Sequence, residues 1–227
     1  ICDSCAAYLG TITLFSKKKI AGNSYYGIPI GDRLSFAEKL GIPEAKLSNF
    51  IDKRIKTKLR LPIKFTGTLK DYQVTAVNAL YKSKFGQLKA PPRSGKTVML
   101  VYLTLKFGTS TLILTHQGDL LNQILQSFYD FTDIRDHEFE QKRKLIGIAN
   151  KRSDLTRWPI VLSTYQKFIN ENGKTFLKSI VKSFGAVMVD EVHKASAFCF
   201  SKVVNSFHSK YKIGFTATPV RKDNLQF

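Results

Sequence analysis

From Gly67 onward, short apolar runs alternate with segments of helical period, and this alternation narrows the fold more than any other feature of the chain. The stretch KDYQVTAVNALYKS (70–83) sets Tyr72, Val77 and Leu80 roughly on one face of a helix. A short strand then enters a glycine-containing loop, and TVMLVYLTLKFG (97–108) continues as a helix stopped by Gly108. The runs TLILTH, KLIGIAN, IVLST, AVMVDE and KIGFTAT read as strands, with helices in DLLNQILQSFYDF and KTFLKSIVKS (174–183) between them. Apolar strands buried on both faces and alternating with helices predict an α/β fold with a parallel, doubly wound sheet. Such sheets bind ligands at the carboxyl ends of their strands, where PPRSGKT, THQ, STYQ, DEVH and TATP all fall.

The first of these, within KAPPRSGKTVM (89–99), has the ending of a phosphate-binding loop. Such a loop needs backbone N–H groups converging on an anion at a helix start, plus a lysine and a hydroxyl. Pro91 and Pro92 cannot donate, so the donors are expected from Ser94, Gly95, Lys96 and Thr97. Gly95 suits either a positive φ or a close backbone approach. Lys96 would neutralise the β- and γ-phosphates of ATP, and Thr97 would ligate Mg²⁺.

AVMVDEVH supplies the complementary charge as an apolar strand ending in two carboxylates. Asp190 is placed to hold Mg²⁺ through water, and Glu191 to orient and deprotonate an attacking water. The bland alternative, a solvated acidic strand end, weakens once the upstream loop is taken into account.

Residues 1–66 have another texture and read as a small basic accessory region, with 67–227 as the main domain. Their apolar runs LGTITLF and YYGIPIG are broken by Gly, Pro and the lysine cluster Lys17–Lys19. RLSFAEKLG is expected to form a short helix, followed by the basic stretch DKRIKTKLRLPIK, which is either a DNA-contacting surface or a solvated linker. Cys2 and Cys5 have the spacing of half a zinc ribbon, but no second pair accompanies them: Cys199 is alone, and the four histidines sit in the other region. They are either a partial zinc site or two ordinary thiols.

Composition removes several classes. No apolar run approaches bilayer length, so the chain reads as soluble, and ICDSCAAYLG lacks the form of a secretory signal. Beginning at Ile1, it reads as a fragment or a processed product. Three cysteines in 227 residues do not make a disulfide framework and suit a reducing compartment. A formal charge of +19 favours a polyanionic partner, nucleic acid before membrane, against the alternative of a merely basic soluble surface.

With APPRSGKT, DEVH and TATP in order, the chain resembles the first RecA-like, P-loop NTPase domain of a superfamily 2 helicase, over about residues 67 to 227. DEVHKASA and GFTATPVRKD are closest to the branch of XPB-like, UvsW-like and restriction-type translocases, and YYGIPIGDR and FTGTLKDYQ are similar to phrases of its phage members. The resemblance implies that Gln73, in LKDYQ, reads the adenine edge, and that His193 links the nucleotide site to the nucleic-acid side. It implies that Thr216 and Thr218 couple hydrolysis to domain movement. Thr115, His116 and Gln117, with Ser163, Thr164 and Tyr165, would lie along one nucleic-acid strand and grip phosphates without reading bases. Tyr165 suits packing better than stacking.

The implied function is an ATP- and Mg²⁺-dependent DNA helicase or translocase on branched or duplex DNA in replication, recombination or repair, in the cytoplasm of a bacterial or phage-infected cell. The motor part of a restriction system, an ATP-gated nucleic-acid-binding module and an RNA helicase stay open beside it. The family's second RecA-like domain, with its arginine finger, would follow Phe227. Since such a finger contributes a factor of about 10³ to 10⁵ in rate, the chain by itself is expected to bind ATP weakly and hydrolyse it poorly.

Overall fold

The structure is a computed structural model, and it describes residues 16–20, 23–27, 63–168, 177, 179–190 and 203–217. The chain divides into two compact units, Ile1–Lys53 and Arg54–Phe227.

In the first unit, β1 (Ser16–Ile20) and β2 (Asn23–Gly27) pair antiparallel, from Ser16 opposite Gly27 to Ile20 opposite Asn23. The lysine cluster expected to interrupt an apolar run is therefore itself strand. The short helix expected in RLSFAEKLG, the Cys2–Cys5 pair and most of the basic stretch lie outside the described residues.

The second unit holds α1 (Asp71–Ser83), β3 (Phe85–Lys89), α2 (Lys96–Phe107), β4 (Thr111–Thr115), α3 (Gly118–Phe131), α4 (Ile134–Glu140), β5 (Ile146–Ile148), β6 (Ile160–Thr164), β7 (Ala186–Val189) and β8 (Tyr211–Thr216). The six strands β3 to β8 form one sheet in the order β3-β8-β7-β4-β6-β5, and every pairing is parallel. This is the doubly wound α/β sheet that the alternation predicts. The expected helix over 174–183 is described only in part, and 177, 179 and 180 are helical.

Side chains alternate across the sheet, as the strand period requires. Leu112 and Leu114 of β4 join one buried cluster with Val161, Val187, Val189, Phe184 and Phe207. Ile113 enters the other, with Met99, Leu103, Met188, Ile213 and Phe215. Two cores, one per face, are why β4 reads as an unbroken apolar run and not as an alternating one.

Helix ends follow local chemistry. At the start of α1 the Gln73 side-chain oxygen accepts the Lys70 N–H at 2.9 Å, which satisfies one of the amides that precede the helical ladder. α2 stops where Gly108 takes a left-handed φ of 56°. α1 stops at Lys84 with φ 64°, where the sequence offers no glycine signal. The seven-residue α4 carries no periodic signal in the sequence because only Ile134 of its residues is buried.

Candidate nucleotide and nucleic-acid site

The strand order decides where the site lies. β3, which feeds the glycine loop, and β7, which ends beside Asp190, are separated by β8 alone. At about 4.8 Å per strand, the two ends stand roughly 10 Å apart, a gap that a phosphate chain and a cation can fill. Their partner β8 brings Thr216 between them: Thr216 lies opposite Lys89, its carbonyl accepts the Ala90 N–H at 2.9 Å, and the residue is fully buried.

A cleft of ≈ 360 Å³ opens there, lined by Pro92, Arg93, Gly95, Lys96, Thr97, Leu120, Gln123 and Asp190. Lys96, Thr97, Gly95 and Asp190, chosen from sequence alone, thus face one space. Leu120 and Gln123 come from α3 and were not expected at the nucleotide; the packing of that helix over the loop brings them into the cleft.

Gly95 caps α2 with φ 77° and ψ 34°. The first helical hydrogen bond runs from Met99 N to Gly95 O at 3.1 Å, so the amides of Lys96, Thr97 and Val98 precede the ladder at the helix's positive end. A Cβ at position 95 would displace Nε2 of Gln73 from its bond to Ser94 O, and the left-handed backbone strains any side chain there. The loop contains a second left-handed residue, Arg93 at φ 63°, which costs about 1–2 kcal/mol for a residue with a Cβ.

Ser94 plays a different part from the donor role expected of it. Its N–H turns back to Pro91 O at 3.3 Å inside the loop. Its carbonyl accepts two side-chain donors from α1, Tyr72 Oη at 3.0 Å and Gln73 Nε2 at 2.9 Å. Its own Oγ is buried and has no hydrogen-bond partner among the described residues. The Ser94 N–H is therefore engaged within the loop itself.

Gln73 is 5% exposed and bonded at both ends of its amide, to Lys70 N and to Ser94 O. One amide hydrogen and one oxygen lone pair remain for the adenine edge that the resemblance assigns to it. Lys96 Nζ donates to Ala90 O at 3.2 Å and Pro91 O at 3.3 Å, which holds the ammonium over the loop. Thr97 and Asp190 present a hydroxyl and a carboxylate, hard oxygen donors of the kind Mg²⁺ prefers, in the same cleft. Glu191, His193 and Thr218 lie outside the described residues.

The expected nucleic-acid track is partly assembled. β4 and β6 end side by side with Thr115 opposite Thr164, and Gln166 Nε2 donates to His116 O at 2.6 Å across the two ends. Thr115 and Ser163 are fully buried, and Thr115 Oγ1 donates to Gln117 O at 2.8 Å. Gln117 and Gln166 are exposed, and His116, Thr164 and Tyr165 are partly so, which leaves these as the outward members. Tyr165 packs against the Val187–Phe207 cluster, in keeping with a packing aromatic. Before β6, Asp154 accepts the N–H groups of Asn150 and Lys151, both at 3.0 Å, and these bonds, the one from Lys151 foremost, hold its carboxyl below the usual carboxylate range.

Comparison with known proteins fits this geometry. Residues 66–221 match the family described as "Type III restriction enzyme, res subunit". Over 216 residues the chain is 29% identical to the "Putative ATP-dependent RNA helicase L396" of Acanthamoeba polyphaga mimivirus, an alignment covering 91% of this chain and 37% of that protein. It is 29% identical over 155 residues to "DNA 3'-5' translocase XPB2" of Sulfurisphaera tokodaii, covering 68% and 32%. The chain thus spans about a third of the length of these relatives. Among solved structures, the UvsW helicase from Bacteriophage T4 superposes with a TM-score of 0.56 at 18% identity, covering 88% of this chain and 78% of that one, a likeness of fold.

Proposed function

This chain belongs to the Type III restriction enzyme res-subunit family, within the superfamily 2 helicases, and from that premise we propose that it is the ATP-hydrolysing part of a DNA helicase or translocase. One observation carries the reading: Lys96, Thr97 and Asp190 line a single cleft at the carboxyl ends of β3 and β7. The residues fit ATP and Mg²⁺. Amides of a helix start and an ammonium suit a polyphosphate, and a hydroxyl and a carboxylate suit the cation. Bound there, Mg²⁺ would supply charge neutralisation to the phosphates.

The chain's own groups then divide the work. Gly95 to Val98 orient the phosphates by their N–H groups. Lys96 would leave the Ala90 and Pro91 carbonyls for the anion, and Thr97 and Asp190 would hold the cation. Glu191, next to Asp190, takes the proton of the attacking water, and His193, Thr216 and Thr218 relay the state of the site to the nucleic acid. Residues 1–66 serve as an accessory nucleic-acid surface, with or without zinc at Cys2 and Cys5, and 67–227 as the motor domain.

DNA is favoured as the track by the charge of +19 and by the branch that DEVHKASA and GFTATPVRKD resemble. Branched or duplex DNA in recombination, repair or replication is the proposed setting, inside a bacterial or phage-infected cell. RNA is the second reading, since one relative bears an RNA-helicase name. The test is ATPase activity of the complete protein with single-stranded DNA, duplex DNA and RNA, beside Lys96→Ala. DNA stimulation that vanishes in the variant upholds the reading. Stimulation by RNA alone moves it to RNA, and hydrolysis untouched by Lys96→Ala ends it.

A further inference from the structure

The two prolines leave the loop short of donors in its first half, and the structure shows what stands there instead. Arg93 lines the cleft of Lys96, Thr97 and Asp190, and it also lines the neighbouring cleft of ≈ 520 Å³ formed with Tyr72, Ala76 and Leu88. Its side chain is exposed, and among the described residues it has no hydrogen-bond or ion-pair partner. Its backbone is held at φ 63°, a conformation for which glycine would be the unstrained choice. Beside it the Ser94 hydroxyl, in a residue 9% exposed, lacks a partner among the described residues and lines the second of these clefts. A buried polar group left unsatisfied at a loop of this kind is one that a ligand can complete.

We infer that Arg93 is a phosphate ligand of the bound nucleotide, a guanidinium built into the loop where Pro91 and Pro92 offer no N–H. This rests on the nucleotide reading of the cleft. A guanidinium presents a planar fork that takes two phosphate oxygens at once, whereas Lys96 acts as a point charge. Asp190 is the one carboxylate lining the cleft among the described residues, and cation binding engages it, so the two charges have separate anionic targets.

The test uses the complete protein with Mg²⁺ and a fluorescent ATP analogue, displaced in turn by ATP and by inorganic tripolyphosphate. The variants are Arg93→Ala, Arg93→Gly and Arg93→Lys, with Lys96→Ala as control, and each is melted thermally. The expected result is a loss of about tenfold or more in affinity for both competitors in Arg93→Ala and Arg93→Gly, and a smaller loss in Arg93→Lys. Arg93→Gly should melt no lower than the parent, since it relieves the backbone, so lost binding cannot be ascribed to unfolding. Parental affinity in Arg93→Gly, with Lys96→Ala impaired, overturns the inference and leaves the nucleotide site standing. Loss for ATP but not for tripolyphosphate also overturns it, because the contact would then be to the nucleoside. If the complete parent protein binds neither competitor, the nucleotide reading falls and Arg93 with it.

Discussion

The side-chain amide of Gln73 donates to the carbonyl of Ser94 at 2.9 Å, directly beneath the position where Gly95 has no Cβ. The first turn of α1 and the phosphate loop are therefore one rigid construction, with Tyr72 Oη donating to the same carbonyl at 3.0 Å. Replacing Gly95 by Ala attacks this construction twice, through the left-handed backbone and through the collision with Gln73. The expected outcome is a loss of about 1–2 kcal/mol or more in chemical denaturation, together with lost ATP binding. Gln73→Ala in the same background should recover part of the stability and little of the binding, which a double-mutant cycle reads directly.

Asp190 has a role that separates charge from shape. Asp190→Asn keeps the side-chain volume and removes the anion that would face a cation in the cleft. Nucleotide binding without Mg²⁺ should stay near parental or improve, while Mg²⁺-dependent ATPase of the complete protein falls by about 10² or more. A variant that retains parental Mg²⁺-dependent turnover would remove Asp190 from the cation site.

Asp154 offers a pH test. Hydrogen bonds from Lys151 and Asn150 hold its folded-state carboxyl below the ordinary aspartate range. The stability it contributes is therefore present above the ordinary aspartate value and is lost as the pH falls through the depressed one. Melting temperatures of the parent and Asp154→Asn should differ at neutral pH, and the gap should close on acidification. A gap that stays constant down to the acid limit would show that the anion contributes nothing.

Phe107 forms a three-ring cluster with two tyrosines, its ring centroid 4.0 Å from that of Tyr211 and 5.9 Å from that of Tyr81, and it ties the end of α2 to the start of β8. Phe107→Ala should lower stability by about 3–5 kcal/mol. These rings sit at the amino ends of the strands, so the destabilised protein should keep ATP affinity at temperatures where it remains folded. A selective loss of affinity with unchanged melting would instead tie these rings to the nucleotide site.

Local signals carried much of this protein. Strand and helix alternation is written in which residues are apolar, because a strand buried on both faces carries consecutive apolar residues, as Leu112–Leu114 of the fully buried β4 does. The chemistry of Lys96, Thr97 and Asp190 is legible because a phosphate loop needs consecutive residues and a metal carboxylate follows an apolar strand. Other features arise only from contacts between distant segments. The order β3-β8-β7, which sets the width of the cleft, depends on crossovers that no window of sequence contains. Gln123 and Leu120 reach the site because α3 packs across the loop, and Arg93 has meaning only once its cleft exists. Ser94 shows the division most plainly. Its place in the loop is local, but its carbonyl is held by Tyr72 and Gln73 from a helix more than twenty residues away, and only the folded chain could bring them within hydrogen-bonding reach.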